Sequence, residues 1–322
     1  MPARTWPAPT VRDRSTHIDM PHIYYFAYQQ PTTGGDFVNI EHVTALRSMG
    51  FPATMLHTGH DAVPMLPPGS MPMVDTVLNA DDWLVIPENE VLLFEYAKSL
   101  PCKVVVHNQN SFYYFNVLAR LKSLDEAKFG HMICPSHGNA ALVRKSGYAG
   151  SISVISPFIP EYFRPADKQL KIAYSPRKLP VEAGAVRGLF SALYPQFSDV
   201  PWVEIAHMSR ERVAEVLGEC AIYAAFSNLE AISLSVLEAM RSGCIVVGDH
   251  GGAGHDYAQA ENGIWVEADE VVGFAEGLAR AIDCFSREGA QSSHARAAMA
   301  KSLEYGEDAF REGLRAFWQA RL

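Results

Sequence analysis

With 322 residues, 48% of them hydrophobic and 20% charged, the chain has apolar surface for two ordinary domain cores of about 150 residues each. Its formal charge of −9 excludes the basic character usual in nucleic-acid binders, and no local basic patch offsets it. The five cysteines (Cys102, Cys134, Cys220, Cys244 and Cys284) stand singly, which fits buried thiols in a reducing cytoplasm better than a disulfide framework.

Residues 1–20 lack the apolar run of a signal peptide and read as a disordered leader. No stretch reaches transmembrane length, so a cytoplasmic protein is expected, with room for peripheral contact at the inner face of a membrane. His22 to Ala27 predicts a first strand, followed by a polar loop, Gln29 to Asp36. Phe37 to Met49 sets Val38, His42-Val43, Leu46 and Met49 at helical spacing, stopped by Gly50. Short apolar runs at Ala53 to Leu56, Trp83 to Ile86, Lys103 to Val106, His131 to Cys134 and Ser151 to Ile155 predict parallel strands. Helical patterns lie between them at Glu90 to Ser99, Phe112 to Lys122 and Asn139 to Ser146.

Three prolines in the nine residues Pro157 to Pro165 mark a linker. A second alternating run follows: strands at Leu170 to Tyr174, Trp202 to Ala206, Ala221 to Phe226 and Cys244 to Val247, with helices near Ala183 to Tyr194, Arg210 to Leu217 and before Gly243. A glycine-rich turn, Gly248 to Gly254, comes next, and the tail from His294 is helical and amphipathic. Two Rossmann-like halves with a cleft between them are the economical architecture.

Chemistry concentrates at the expected strand ends. Glu230 and Glu238 lie eight residues apart between a strand and the next one, where two carboxylates and a helix N-terminus can hold a polyol and a phosphate. Both also fit capping boxes, Ser227-x-x-Glu230 and Ser235-x-x-Glu238, with a purely structural role, and Ser235 is a cap in either case. Ile232, Ser233, Leu234 and Ser235 form the helix start that would face a pyrophosphate. Arg177 and Lys178 follow a strand; they are either solvated surface or a fork and a point charge for a phosphate. Gly34-Gly35, in the first loop, is either an ordinary turn or a place where backbone approaches a ligand, and it is no dinucleotide fingerprint. His107, directly after a strand and before Asn108-Gln-Asn110, is either structural or a cleft residue. The aromatics Phe112 to Phe115 suit helix core or a stacking wall. Asp249-His250 and His255-Asp256 lack metal-ligand spacing, so no metal and no cofactor is expected.

Taken together, Glu230-x7-Glu238, the following Ser-Gly-Cys-Ile-Val-Val and Gly251-Gly252 resemble retaining GT-B glycosyltransferases, most of all glycosyltransferase family 4. The resemblance implies two Rossmann-like domains facing each other across a cleft: 21–158, completed by a returning C-terminal helix at 303–322, and 159–302. It implies a metal-independent transfer of sugar from a nucleotide-sugar donor to a glycan, lipid-linked or other hydroxyl acceptor. Glu230 would lie by the anomeric centre with His107 as the first domain's cleft histidine, and Glu238 on the ribose. Arg177 and Lys178 would hold the diphosphate, and Gly34-Gly35 would match the first domain's glycine loop. Three departures mark a divergent branch: Glu230-Ala-Ile-Ser233 replaces Glu-Gly-Phe-Gly, Ala253-Gly-His-Asp256 replaces a Pro-Glu ending, and the two cations are adjacent. A catalytically degenerate nucleotide-sugar or glycan binding protein on the same scaffold stays open beside the transferase.

Overall fold

The computed structural model describes residues 20–28, 34–59, 61, 63–121, 124–125, 127–252, 254–267 and 270–322. Residues 1–19 of the expected leader, residues 29–33 of the expected first loop, Lys122 and Ala253 lie outside the described residues. The chain divides into two compact units: Met1–Pro157 with Phe310–Leu322, and Phe158–Ala309.

The first unit is built on a parallel sheet of seven strands: β1 Ile23–Ala27, β2 Ala53–His57, β3 Met71–Pro72, β4 Trp83–Pro87, β5 Lys103–His107, β6 His131–Cys134 and β7 Ser151–Val154. Every residue of β1, β2 and β4 is buried, so the run is apolar without alternation, as a strand covered on both faces requires. The helices are α1 Gly34–Ser48, α2 Val91–Ser99, α3 Ser111–Leu118 and α4 His137–Lys145. Strand order is β3-β2-β1-β4-β5-β6-β7, so the order reverses between β1 and β4. Ligands of open α/β sheets bind outside the carboxyl ends of strands at such a reversal. The loops that follow β1, β4 and β5 therefore matter most.

The second unit carries β8 Gln169–Tyr174, β9 Trp202–Glu204, β10 Cys220–Ala225, β11 Ile245–Gly248 and β12 Ile264–Trp265, in the order β12-β11-β10-β8-β9. Its helices are α5 Pro180–Leu193, α6 Arg210–Glu219, α7 Leu234–Arg241, α8 Val271–Glu288 and α9 Ser293–Ser302. Alternate strand residues feed two cores. Ile172, Ile222, Ala224 and Val247 meet Val186 and Phe190 of α5 and Phe274 and Leu278 of α8. Ala173, Tyr223, Ala225 and Val246 meet Leu217, Val236, Met240 and Ala298 from α6, α7 and α9. Here the reversal falls between β8 and β10, so the segments after those two strands flank it.

A last helix, α10 Glu307–Gln319, buries Phe310, Leu314, Phe317 and Trp318 on one stripe. Phe310 packs edge-on against His42 with ring centroids 5.1 Å apart, and Trp318 against Trp83 at 5.8 Å. Large apolar side chains buried in this way contribute about 1.5–3 kcal/mol each, so this stripe holds α10 to the first unit.

Several expectations need correction. The tail is two helices broken at residues 303–306, and residues up to Ala309 belong to the second unit, so the returning segment starts at Phe310 rather than 303. The proline-rich stretch does hold the boundary between the units, at Pro157–Phe158, but it is packed from there on: Ile159 and Phe163 sit fully inside a core of the second unit. Gly34 and Gly35 open α1 rather than lying in a loop, and His107 is the last residue of β5 rather than the one after it. The third helix stops at Leu118. The longest helix, α8, has no counterpart among the expected elements.

Candidate active site

In the second unit, Ser175-Pro176-Arg177-Lys178 follows β8 and leads into α5, whose first residue is Pro180. Across the strand-order reversal, residues 226–233 link β10 to α7. Glu230 is fixed there by its main chain: its N–H donates to the Gly251 carbonyl at 2.9 Å, and it forms an isolated parallel bridge with Gly252. Leu229 just before it adopts φ +50°, a left-handed conformation costly for a side chain of its size. The Glu230 carboxylate is ion-paired with the Lys178 ammonium, so the two segments after β8 and β10 are tied by their charges. Arg177 beside it is exposed and makes no ion pair among the described residues.

Glu238 lies in the middle of α7 with its side chain largely buried, and Arg210 meets its carboxylate through Nε and an Nη, both at 3.2 Å. Arg210 also lies over the Phe163 ring, 5.8 Å from its centroid. These contacts correct the capping-box reading. No helix begins at Ser227, and α7 begins at Leu234, so Ser235 is already inside it and Glu238 is too far along to reach back to the cap. Ser233 holds the cap position without capping through its side chain, and hydroxyls of Ser227, Ser233 and Ser235 form a chain at 3.3 and 3.2 Å instead. The N–H groups that open α7 are thus left available to an anion. The buried Tyr257 hydroxyl donates to the His250 carbonyl at 3.0 Å and receives the Ser233 N–H, which braces the glycine turn against the start of α7.

In the first unit, Gly35, Asn39 and His42 fall on one face of α1. The buried His107 ring lies 4.6 Å from that of His42, and its Nδ1 is 2.7 Å from Asn39 Oδ1. Burial moves the His107 imidazole down to about 3, so it is neutral at physiological pH. Gln109 Nε2 donates to the Gly35 carbonyl at 3.0 Å and lies 3.3 Å from Asn39 Oδ1. A Cβ on Gly35 would stand 3.1 Å from Gln109 Oε1, so a side chain there would require the Gln109 amide to give by a few tenths of an ångström. Glu88, directly after β4, is buried, accepts the Gln109 N–H at 3.2 Å, and is pushed up to about 7 by that burial. Of the helix α3 aromatics, Tyr114 is buried and Tyr113 half-exposed, an arrangement that core packing explains. Among the described residues no three His, Cys, Asp or Glu side chains gather where a metal would sit, and His250 and His255 meet only ring to ring, at 4.6 Å. No helix among the described residues is long and apolar enough to cross a membrane.

The structure therefore joins Lys178 with Glu230 in the second unit, and Gly35 with His107, through Asn39 and Gln109, in the first. Arg210, Glu88 and Asn39 are additions that sequence reasoning missed. None stands in a local motif, and each acquires its partner only through sheet order.

The profile of the family described as "Glycosyl transferases group 1" matches residues 205–297. The chain is 33% identical over 282 residues to an alpha-1,6-glucosyltransferase of Actinobacillus pleuropneumoniae serotype 7 (strain AP76), covering 84% of this chain and 85% of that one. The chain belongs to the group 1 glycosyl transferases. The fold agrees. Sucrose-phosphate synthase (tll1590) from Thermosynechococcus elongatus superposes with a TM-score of 0.66 at 12% identity, over 93% of this chain and 98% of that one. Anabaena Alr3699/HepE, solved in complex with UDP-glucose, gives 0.69 at 12% identity, over 93% and 99%. The architecture of this glycosyltransferase is GT-B. The profile match takes in Glu230, Glu238 and Gly251-Gly252 but neither Arg177, Lys178 nor any residue of the first unit.

Proposed function

We propose that this glycosyltransferase is a retaining, metal-independent enzyme of the family 4 type that transfers glucose from a nucleotide donor to a glycan or lipid-linked hydroxyl. The observation that carries the reading is the Lys178–Glu230 ion pair at the strand-order reversal of the second unit, with the start of α7 beside it. The choice of glucose rests on the name of the Actinobacillus relative, and the choice of UDP on the HepE complex.

In this reading the diphosphate lies between Arg177, Lys178 and the N–H groups of Ile232, Leu234 and Ser235, with Glu238 on the ribose. As the glycosidic bond to phosphate breaks, positive charge grows on the sugar and negative charge on the phosphate oxygen. The two cations and the helix N-terminus stabilise the leaving group, which is where preorganised charge is worth most. Glu230, released from Lys178 when phosphate takes that cation, lies by the anomeric carbon. The acceptor attacks from the face the phosphate leaves, and the phosphate oxygen takes its proton, so configuration is retained. In the first unit, Gly34, Gly35 and His107 supply substrate contacts.

Purified protein with UDP-glucose and a panel of glycan acceptors tests this directly, with the anomeric configuration of the product read by proton NMR. An α-linked product, and a loss of about a hundred-fold or more in Glu230→Gln, are expected. The melting temperature should barely change, since a half-exposed ion pair contributes under about 1 kcal/mol. Full activity in Glu230→Gln, or a β-linked product, would refute the assignment. Binding of UDP without turnover on any acceptor would point to the degenerate binding protein instead.

A further inference from the structure

In the first unit, a chain of four groups fixes the position of one proton. The Gly35 carbonyl can only accept a hydrogen bond, so the Gln109 atom 3.0 Å from it must be the amide nitrogen. That NH2 carries a second hydrogen, and the Asn39 atom 3.3 Å away must then be oxygen, because two facing NH2 groups would repel. The same Asn39 oxygen lies 2.7 Å from His107 Nδ1, so Nδ1 must carry the hydrogen. The ring is buried and neutral, so Nε2 is left with a bare lone pair.

We infer that Gln109 and Asn39 are positioning residues that lock His107 in its Nδ1–H tautomer, so that Nε2 meets substrate as an acceptor for a sugar hydroxyl. This selects among ligands. A hydroxyl can donate to Nε2, whereas an ether or a carbonyl oxygen at the same point would face lone pair against lone pair. Gly35 is part of the device, since its missing side chain lets the Gln109 amide lie against the Gly35 carbonyl without having to give way. Glu88 holds the other end by accepting the Gln109 main-chain N–H.

The proposal rests on the reading of His107 as a substrate contact, but its first test does not need substrate. Protein labelled with 15N-histidine is examined by long-range 15N–1H NMR, and His107→Gln identifies the signals of this ring among the twelve histidines. The expected pattern is a pyrrole-type Nδ1 and a pyridine-type Nε2 in the wild type. Asn39→Asp, which keeps the accepting oxygen, should preserve it, while Gln109→Ala and Asn39→Leu should mix the tautomers. In transfer assays Gln109→Ala should lose about ten-fold in kcat, the worth of one hydrogen bond, and Asn39→Asp should retain more than Asn39→Leu. A wild-type Nε2–H tautomer overturns the inference, as does an unchanged Nδ1–H population in both Gln109→Ala and Asn39→Leu. A protein that transfers sugar from no nucleotide donor would defeat the functional reading alone, because the NMR result stands without it.

Discussion

Glu88 shows what a single buried carboxyl does to pH dependence. Burial raises its proton affinity to about 7 from the usual 4.5, so between those values the folded chain keeps a proton that the unfolded chain has lost. Stability from this group is therefore highest below pH 4.5 and falls as pH rises towards 7, by roughly 3 kcal/mol in full. His107 slopes the other way: held at about 3, it costs stability as pH drops below 6.5, because the unfolded chain takes up the proton first. The two overlap, so only a difference separates them. Urea denaturation of wild type and Glu88→Gln at pH 5 and pH 8 should show the wild type losing ground to the variant at the higher pH. A constant difference would mean that Glu88 ionises normally. Nothing in Pro87-Glu-Asn-Glu90 distinguishes Glu88 as the buried acid, whereas Glu230 and Glu238 stood out as candidates by their spacing and their place between two strands. The identity of their partners was not legible. Lys178 is 52 residues away and Arg210 is 28 away, and only sheet order brings them together.

Within the elements, the glycine turn after β11 makes two contrasting demands. Gly251 adopts φ +80°, and a Cβ there would stand 2.6 Å from Glu230 Cβ. Gly251→Ala should therefore displace the carboxylate, lowering kcat by about ten- to a hundred-fold, as small misplacements of reacting groups do. Circular dichroism should still show a folded protein. Gly248, at φ +130°, is different, because its Cβ would stand 2.4 Å from the Ala225 carbonyl and would force β10 and β11 apart. Gly248→Ala should fail to accumulate as soluble protein, or should melt many degrees lower than Gly251→Ala. The strands were readable because burial on both faces demands unbroken apolar runs. The helix α8 was missed although Val271, Phe274, Ala275, Leu278 and Ile282 hold helical spacing. β3 and β12, at two residues each, are too short to carry a pattern. The capping boxes misled because Ser-x-x-Glu is diagnostic only where a helix starts at the serine.

At the scale of the whole chain, two Rossmann-like halves could be anticipated from alternation alone, but the place where the chain returns could not. The amphipathic stripe of α10 begins with Phe310, and the preceding residues 303–309 are apportioned by contacts that composition does not announce. Trp318 is fully buried, so Trp318→Ala should cost about 3–5 kcal/mol. Differential scanning calorimetry should register that loss in a transition of the first unit, leaving a transition of the second unit in place. A single transition moving as one would show the units to be thermodynamically inseparable.

The split in the first unit also imposes an order on synthesis. A ribosome delivers the residues up to Pro157 before the second unit, and only after that unit the thirteen residues from Phe310 to Leu322. Until those emerge, the Trp83 and His42 surfaces that α10 covers stay open to water and to other nascent chains. The half made first is thus completed last, and it carries the longer exposure to chaperones and to aggregation.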